Sequence, residues 1–260
     1  MTFRRLLGSM RRTVVEQTRH RRREIGHRLA GRHPGIRFAA AAPFLPDDPV
    51  IIEAGASTGH DVLELLKLWP RATVHAFEPE PATYRELVSN VRSLPNVKTW
   101  ELALAATSGT ATLNVSSGDY GTASSSLLEP MLVRAELPGL RFEQVNVEQV
   151  TLGDWCQRNG IGRCDFLALD MQGLECGMLS ASRDVLRGVR VVIAEAFTEE
   201  LYAGAGTVLD LHRILAEEGF VILHTNTYWG TTLDIIAVSM AALTEAVRRG
   251  GHADGSLDYF

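Results

Sequence analysis

Three side chains able to take or hold a proton, Asp170, Glu195 and His224, stand at the ends of short apolar runs that read as β-strands. Open α/β sheets hold their ligands at the C-terminal ends of their strands. An ordinary Asp titrates near pH ~3.9 and an ordinary His near ~6.5, so His224 is the expected acceptor of a hydroxyl proton. Asp170 is the better group for orienting an acceptor, and Glu195 is the third candidate base. Tyr228 and Trp229 follow His224 on what reads as a loop at the same end. Their rings could stack on a sugar or macrocycle, although aromatic side chains more often serve packing.

A second constellation lies earlier in the chain. Glu53-Ala54-Gly55-Ala56-Ser57-Thr58-Gly59 follows an apolar run and precedes a segment with helical spacing. Small residues at such a turn let a ligand approach backbone amides and the helix N-terminus. The run lacks the GxGxxG spacing of dinucleotide folds. Glu78 ends the next apolar run, where a carboxylate can accept hydrogen bonds from both hydroxyls of a ribose. The acidic Glu53 would repel a pyrophosphate, which favours a cationic cofactor over NAD. S-adenosylmethionine, with its ammonium and sulfonium, has the right charge.

The elements that must position these groups alternate. Strands are expected at 50–52, 73–77, 96–102, 165–169 and 189–194, and helices at 60–69, from Pro81 onward, 151–160, 173–186 and 207–218. Parallel strands need long, usually helical, crossovers, so the pattern is that of a doubly wound sheet. The stretch 104–150 breaks the rhythm with two strand-like runs around a small-residue loop and reads as an insertion. The last strands, 220–223 and 233–239, are joined by a turn at 226–232 too short for a crossover, so they form an antiparallel hairpin. The expected fold is therefore α/β and Rossmann-like, with a mainly parallel sheet, helices on both faces and a C-terminal antiparallel hairpin. A helical basic extension occupies 1–46, the catalytic domain 47–243, and a tail 244–260.

Glu53 to Gly59, Phe77-Glu78-Pro79, Leu87 with Asn90, and Asp170-Met171-Gln172-Gly173-Leu174-Glu175 together resemble the motif series of FkbM-type methyltransferases. Thr122 to Ser126 is similar to that family's Ser-Ser-hydrophobic loop. Glu53 and Ser57 stand where the family more often has Asp and Asn. The resemblance implies a class I methyltransferase fold and methyl transfer from S-adenosylmethionine, usually to a hydroxyl of a natural product or sugar. It implies that Glu53, Gly55 and Ser57 line the methionine end of the cofactor site, that Glu78 holds the ribose, and that Leu102 and Ala103 approach the adenine, with Gly59 and Pro79 also among the cofactor-binding residues. Asp170 lies where cofactor and acceptor meet, and Ser124, Ser125 and Gln172 face the acceptor.

The chain has 260 residues, 45% hydrophobic and 22% charged, with no apolar run long enough to span a bilayer. It reads as a cytoplasmic globular protein. Cys156, Cys164 and Cys176 have neither paired spacing nor His neighbours, so no disulfide framework or zinc site is expected. Residues 1–37 hold eleven Arg against Glu16 and Glu24, about +9 in a chain of net charge -5. Such a tail could contact anionic lipid; nucleic acid is not expected as a partner, and assembly into homo-oligomers is left open. Asp170 and Glu175 are oxygen donors suited to Mg²⁺, but no complete ligand set stands out. The weighed alternatives are an N-methyltransferase, a lipid or glycan O-methyltransferase, a NAD-dependent oxidoreductase, and a non-catalytic S-adenosylmethionine-binding scaffold.

Overall fold

A computed structural model describes residues 34–118, 121–137 and 139–249; of residues 34–36, 135, 136 and 226–229 only the backbone is described. The basic segment 1–33 and the end of the C-terminal tail lie outside the described residues.

The chain enters through helix α1 (Pro34–Ala39) and a short 3-10 turn. Strand β1 (Val50–Ala54) leads to helix α2 (His60–Leu68), β2 (Thr73–Phe77) to α3 (Pro81–Val91), and then comes β3 (Val97–Trp100). Glu80 caps α3 by accepting hydrogen bonds from the amides of Ala82 and Thr83, and Pro81 at the first helical position needs no such partner. Strands β4 (Ala103–Leu104), β5 (Gly109–Ser117) and β6 (Arg141–Val150) form a separate three-stranded sheet in the order β4-β6-β5, with helix α4 (Leu132–Glu136) between β5 and β6. Helix α5 (Leu152–Asn159), capped by the Thr151 side chain, returns the chain to the main sheet.

Strand β7 (Phe166–Leu169), helices α6 (Glu175–Ala181) and α7 (Arg183–Leu186), strand β8 (Val191–Phe197) and helix α8 (Val208–Glu217) follow. The chain ends with β9 (Phe220–Trp229), β10 (Thr232–Ser239) and helix α9 (Met240–Arg248). The main sheet has seven strands in the order β3-β2-β1-β7-β8-β10-β9. β10 runs antiparallel to both β8 and β9; β1, β2, β3, β7 and β8 pair in parallel. The expected class I, Rossmann-like arrangement is therefore present, with its antiparallel C-terminal hairpin.

Side chains alternate across the strands, so the sheet divides two cores. Ile52, Ala54, Leu167 and Leu169 face one core together with Trp155, while Ile51, Val74, Phe166 and Ile193 face the other. All seven residues of β8 are buried, as a central strand covered on both faces requires. α1 belongs to the second core: Phe38 is fully buried and its ring meets Phe166 edge-on at 6.0 Å.

The hairpin differs from the sequence expectation in a way that matters for the site. The turn is only Gly230-Thr231, with Trp229 paired to Thr232 and Gly230 at φ 48°. β9 therefore runs six residues beyond position 223. Two-residue hairpins need such left-handed backbone, and Gly supplies it cheaply. Tyr228 and Trp229 consequently close a strand rather than occupy a loop.

Candidate active site

The sheet changes winding direction between β1, which leads to β2, and its other neighbour β7, and the site is built at the C-terminal ends of these strands. Gly55 follows β1 with φ 86°, and its amide donates to the Phe77 carbonyl at 3.1 Å. A Cβ at this position would lie 1.9 Å from the Asp170 carbonyl oxygen. Only glycine lets the two strand ends approach this closely. Ser57 also has positive φ, 47°, and its amide donates to Glu78 Oε2 at 3.0 Å. The loop is thereby tied to the end of β2.

Glu78 accepts a second hydrogen bond, 2.8 Å long, from the amide of Glu80 to its Oε1. Burial pushes its carboxyl up to about 7 despite these two bonds. Each carboxylate oxygen keeps a lone pair for a further donor, as ribose recognition requires.

Gly55, Ser57, Glu78, Pro79, Leu102, Ala103, Ser125, Asp170 and Gln172 line one cleft of about 770 Å³, part of it open to solvent. Phe77, Leu104, Leu113 and Met171 supply apolar walls. Sequence reasoning therefore brought together most of what the fold brings together. Glu53 and Gly59 do not line the cleft. Glu53 is 4% exposed beneath the loop, and burial, reinforced by Asp61, Asp170 and Glu78, holds its carboxyl well above the usual range, while Arg37 opposes the shift. Its Oε2 has no hydrogen-bond partner among the described residues. Gly59 caps α2 at φ 88° and meets Leu87 of α3, so its role is the close packing of two helices.

The Asp170 element forms a hydrogen-bonded hub. Gln172, at φ 54°, donates through Nε2 to Asp170 Oδ1 at 2.8 Å and to Glu195 Oε2 at 2.5 Å. Its Oε1 accepts from the Tyr202 hydroxyl at 2.9 Å, and its backbone carbonyl accepts from Ser126 Oγ at 2.8 Å. Both hydrogens of the side-chain amide are thus engaged, and they hold Asp170 and Glu195. Glu175 accepts from the amides of Met171 at 2.6 Å and Gly173 at 2.9 Å, closing the turn; burial pushes its carboxyl up to about 7. Among the described residues no group of three or more His, Cys, Asp or Glu side chains could hold a metal ion.

Asp170 and Glu195 stand level on neighbouring strands, because Leu169 pairs with Ala194. Glu195 is 2% exposed and does not line the cleft; Asp170 does. Ser124 is buried, its amide bonded to Ser116 Oγ, and also lies off the cleft lining, whereas Ser125 is part of it.

His224 is placed elsewhere. It pairs with Ile236, which pairs with Ile193, which pairs with Ala168. His224 is therefore in the middle of β9, two residues below the level of Asp170. With β8 and β10 intervening, it is three strand spacings from β7, about 14 Å at roughly 4.8 Å each. The two-residue hairpin causes the displacement, since the strand continues where the sequence suggested that it stops. The backbone of Tyr228 and Trp229 forms the end of the same edge strand.

Tyr202 escaped sequence reasoning. It is fully buried, its hydroxyl also lies 3.1 Å from the Ser124 carbonyl, and it packs with Phe197, Leu201, Val133 and Leu137 in a small third core. Nothing in its local spacing signals a link to a glutamine thirty residues earlier.

Residues 53–222 match the family described as the methyltransferase FkbM domain. The chain is 31% identical over 162 residues to the 2-O-methyltransferase NoeI of Sinorhizobium fredii (strain NBRC 101917 / NGR234), a span covering 60% of this chain and 67% of that protein. It is 26% identical over 208 residues to the methyltransferase sdnD of Sordaria araneosa, covering 71% and 78%. Among solved structures, magnesium protoporphyrin IX methyltransferase from Synechocystis PCC 6803 superposes with a TM-score of 0.49 and 14% identity, over 83% of this chain and 80% of that one.

Proposed function

Because the chain belongs to the methyltransferase FkbM domain family, whose methyl donor is S-adenosylmethionine, we propose that it methylates a hydroxyl of a small natural product or sugar, with Asp170 orienting the hydroxyl and receiving its proton. The observation that carries the reading is one cleft with apolar walls, the Glu78 carboxylate and the Asp170 carboxylate. The likeness to a 2-O-methyltransferase supports oxygen as the accepting atom.

The residues present fit the donor. Glu78 has acceptor capacity left for two ribose hydroxyls, Leu102, Leu104 and Leu113 suit an adenine face, and the Glu53 carboxyl lies buried beneath the loop at the methionine end. S-adenosylmethionine supplies, when bound, a methyl group on a positively charged sulfur. The protein's part is alignment, a dry cleft and a place for the proton. Gln172 fixes the Asp170 carboxylate, and the acceptor hydroxyl becomes acidic as its oxygen bonds to carbon, so a carboxylate is basic enough late in transfer. Mass spectrometry with methyl-labelled donor and a panel of hydroxylated acceptors tests the reading: one labelled methyl on oxygen is expected. A label found on nitrogen overturns the oxygen assignment. Tighter binding of NAD than of S-adenosylhomocysteine, measured by calorimetry, overturns the cofactor.

Glu78→Ala is expected to weaken S-adenosylhomocysteine binding by roughly 1 to 3 kcal/mol, the scale of hydrogen bonds to a charged group. The pH dependence carries a sign. A ribose donating two hydrogen bonds prefers the ionised carboxylate, and in the free protein burial pushes the carboxyl up to about 7. Affinity should therefore rise up to about tenfold from pH 6 to pH 8. Glu78→Gln should flatten that profile. A parent profile that is already flat would separate Glu78 from the ribose.

A further inference from the structure

Arg37 precedes the segment that matches the family, yet its side chain reaches into the carboxylates behind the cleft. It is 12% exposed, it donates to Asp61 Oδ2, and it donates to Asp234 Oδ1 at 3.1 Å. Asp61 is the second residue of α2, the helix that opens directly after the donor loop. Asp234 of β10 pairs directly with Glu195 of β8, and Glu195 accepts from the same Gln172 amide that holds Asp170. Glu53, Asp61, Asp170, Glu195 and Asp234 thus stand near the C-terminal edge of one face of the sheet. Like charges directly opposite on paired strands repel. Among the described residues, the Arg37 guanidinium joins the α2 side of this array to the β10 side.

We propose that Arg37 is a positioning residue of the methyl-donor site: by clamping Asp61 and Asp234 together it fixes the start of α2, and hence the loop from Gly55 to Gly59, against the ends of β7 and β8. The proposal rests on the reading of the cleft as the donor site. It makes α1 part of the catalytic unit, although that helix lies ahead of the family match. A planar fork suits this task, because one guanidinium can donate to two carboxylates in different directions. The Arg37 guanidinium also sits over the ring of Phe38, 4.6 Å from its centroid, and Phe38 is anchored in the core. The clamp is therefore built on a fixed point.

Calorimetry with S-adenosylhomocysteine on the full-length protein, well below its melting temperature, tests the clamp. Arg37→Gln is expected to weaken binding about tenfold, in keeping with the strength of charge-assisted bonds. Arg37→Lys should recover part of that loss. Asp61→Asn should weaken binding alone and add little in the Arg37→Gln background, since two changes that break one interaction are not additive. A loss that the two changes produce additively, or one that Lys leaves untouched, would make Arg37 a general stabiliser and overturn the proposal, as would Arg37→Gln binding within twofold of the parent. If the unaltered protein shows no binding at all, the donor-site reading fails instead, so the two failures are distinct.

Discussion

Asp170→Asn is expected to lower turnover about 10²- to 10⁴-fold, the usual contribution of a positioned proton acceptor, with S-adenosylhomocysteine affinity within about twofold of the parent. The substitution is nearly isosteric, and Asn Oδ1 can still accept from Gln172 Nε2, which lies 2.8 Å from the present carboxylate. It therefore removes charge and basicity while keeping the hub. Asp170 is the member of the Asp170, Glu195 and His224 set that lines the cleft. Glu195 is 2% exposed and engaged by Gln172, and His224 sits in the middle of the edge strand β9. His224→Ala should accordingly turn over at close to the parent rate with the same pH profile. Steady-state rates at saturating donor, measured beside calorimetry, separate the outcomes. Full activity in Asp170→Asn, or a large loss in His224→Ala, would reverse the assignment of the base.

Gly55→Ala is expected to be the most damaging single change in the donor loop. Two penalties act together: φ of 86°, which an L-residue tolerates at a cost of about 1 to 3 kcal/mol, and a Cβ that would sit 1.9 Å from the Asp170 carbonyl oxygen. Backbone is what the methyl group meets, so no flexible side chain can give way. The strand ends must part, which strains the 2.9 Å bond from the Asp170 amide to the Ala54 carbonyl and displaces Asp170. Overpacking of this kind costs a further 1 to 3 kcal/mol or so. For a domain of this size the melting temperature should fall by roughly 5 to 20 °C, at about 2 to 4 °C per kcal/mol. Donor binding should be lost in whatever fraction remains folded. A melting temperature within 2 °C or so of the parent, with unchanged affinity, would show that the loop relaxes around the methyl group and is less constrained than its geometry implies.

What the sequence by itself determined is what lies within continuous segments. The alternation of strands and helices, the loop from Glu53 to Gly59 and Glu78 at the end of the next strand are read from spacing over a few to some twenty-five residues, and the Asp170-to-Glu175 element from its resemblance to a family motif. Doubly wound folds bring successive strand ends to one edge, so these segments converge without any knowledge of side-chain packing. What only the tertiary structure decided is pairing between distant positions. Whether β9 stops at residue 223 or runs to Trp229 depends on its register with β10, and that register carried His224 away from the cleft. The depth of Glu53, which turned a supposed lining residue into a buried carboxyl, depends on how α1 and α2 cover the sheet. Tyr202 meets Gln172 across thirty residues and Arg37 meets Asp234 across 197, and neither pair has a local signature. Such contacts are set by strand order and helix packing, which one-dimensional spacing does not encode because any of several registers would bury the same apolar faces.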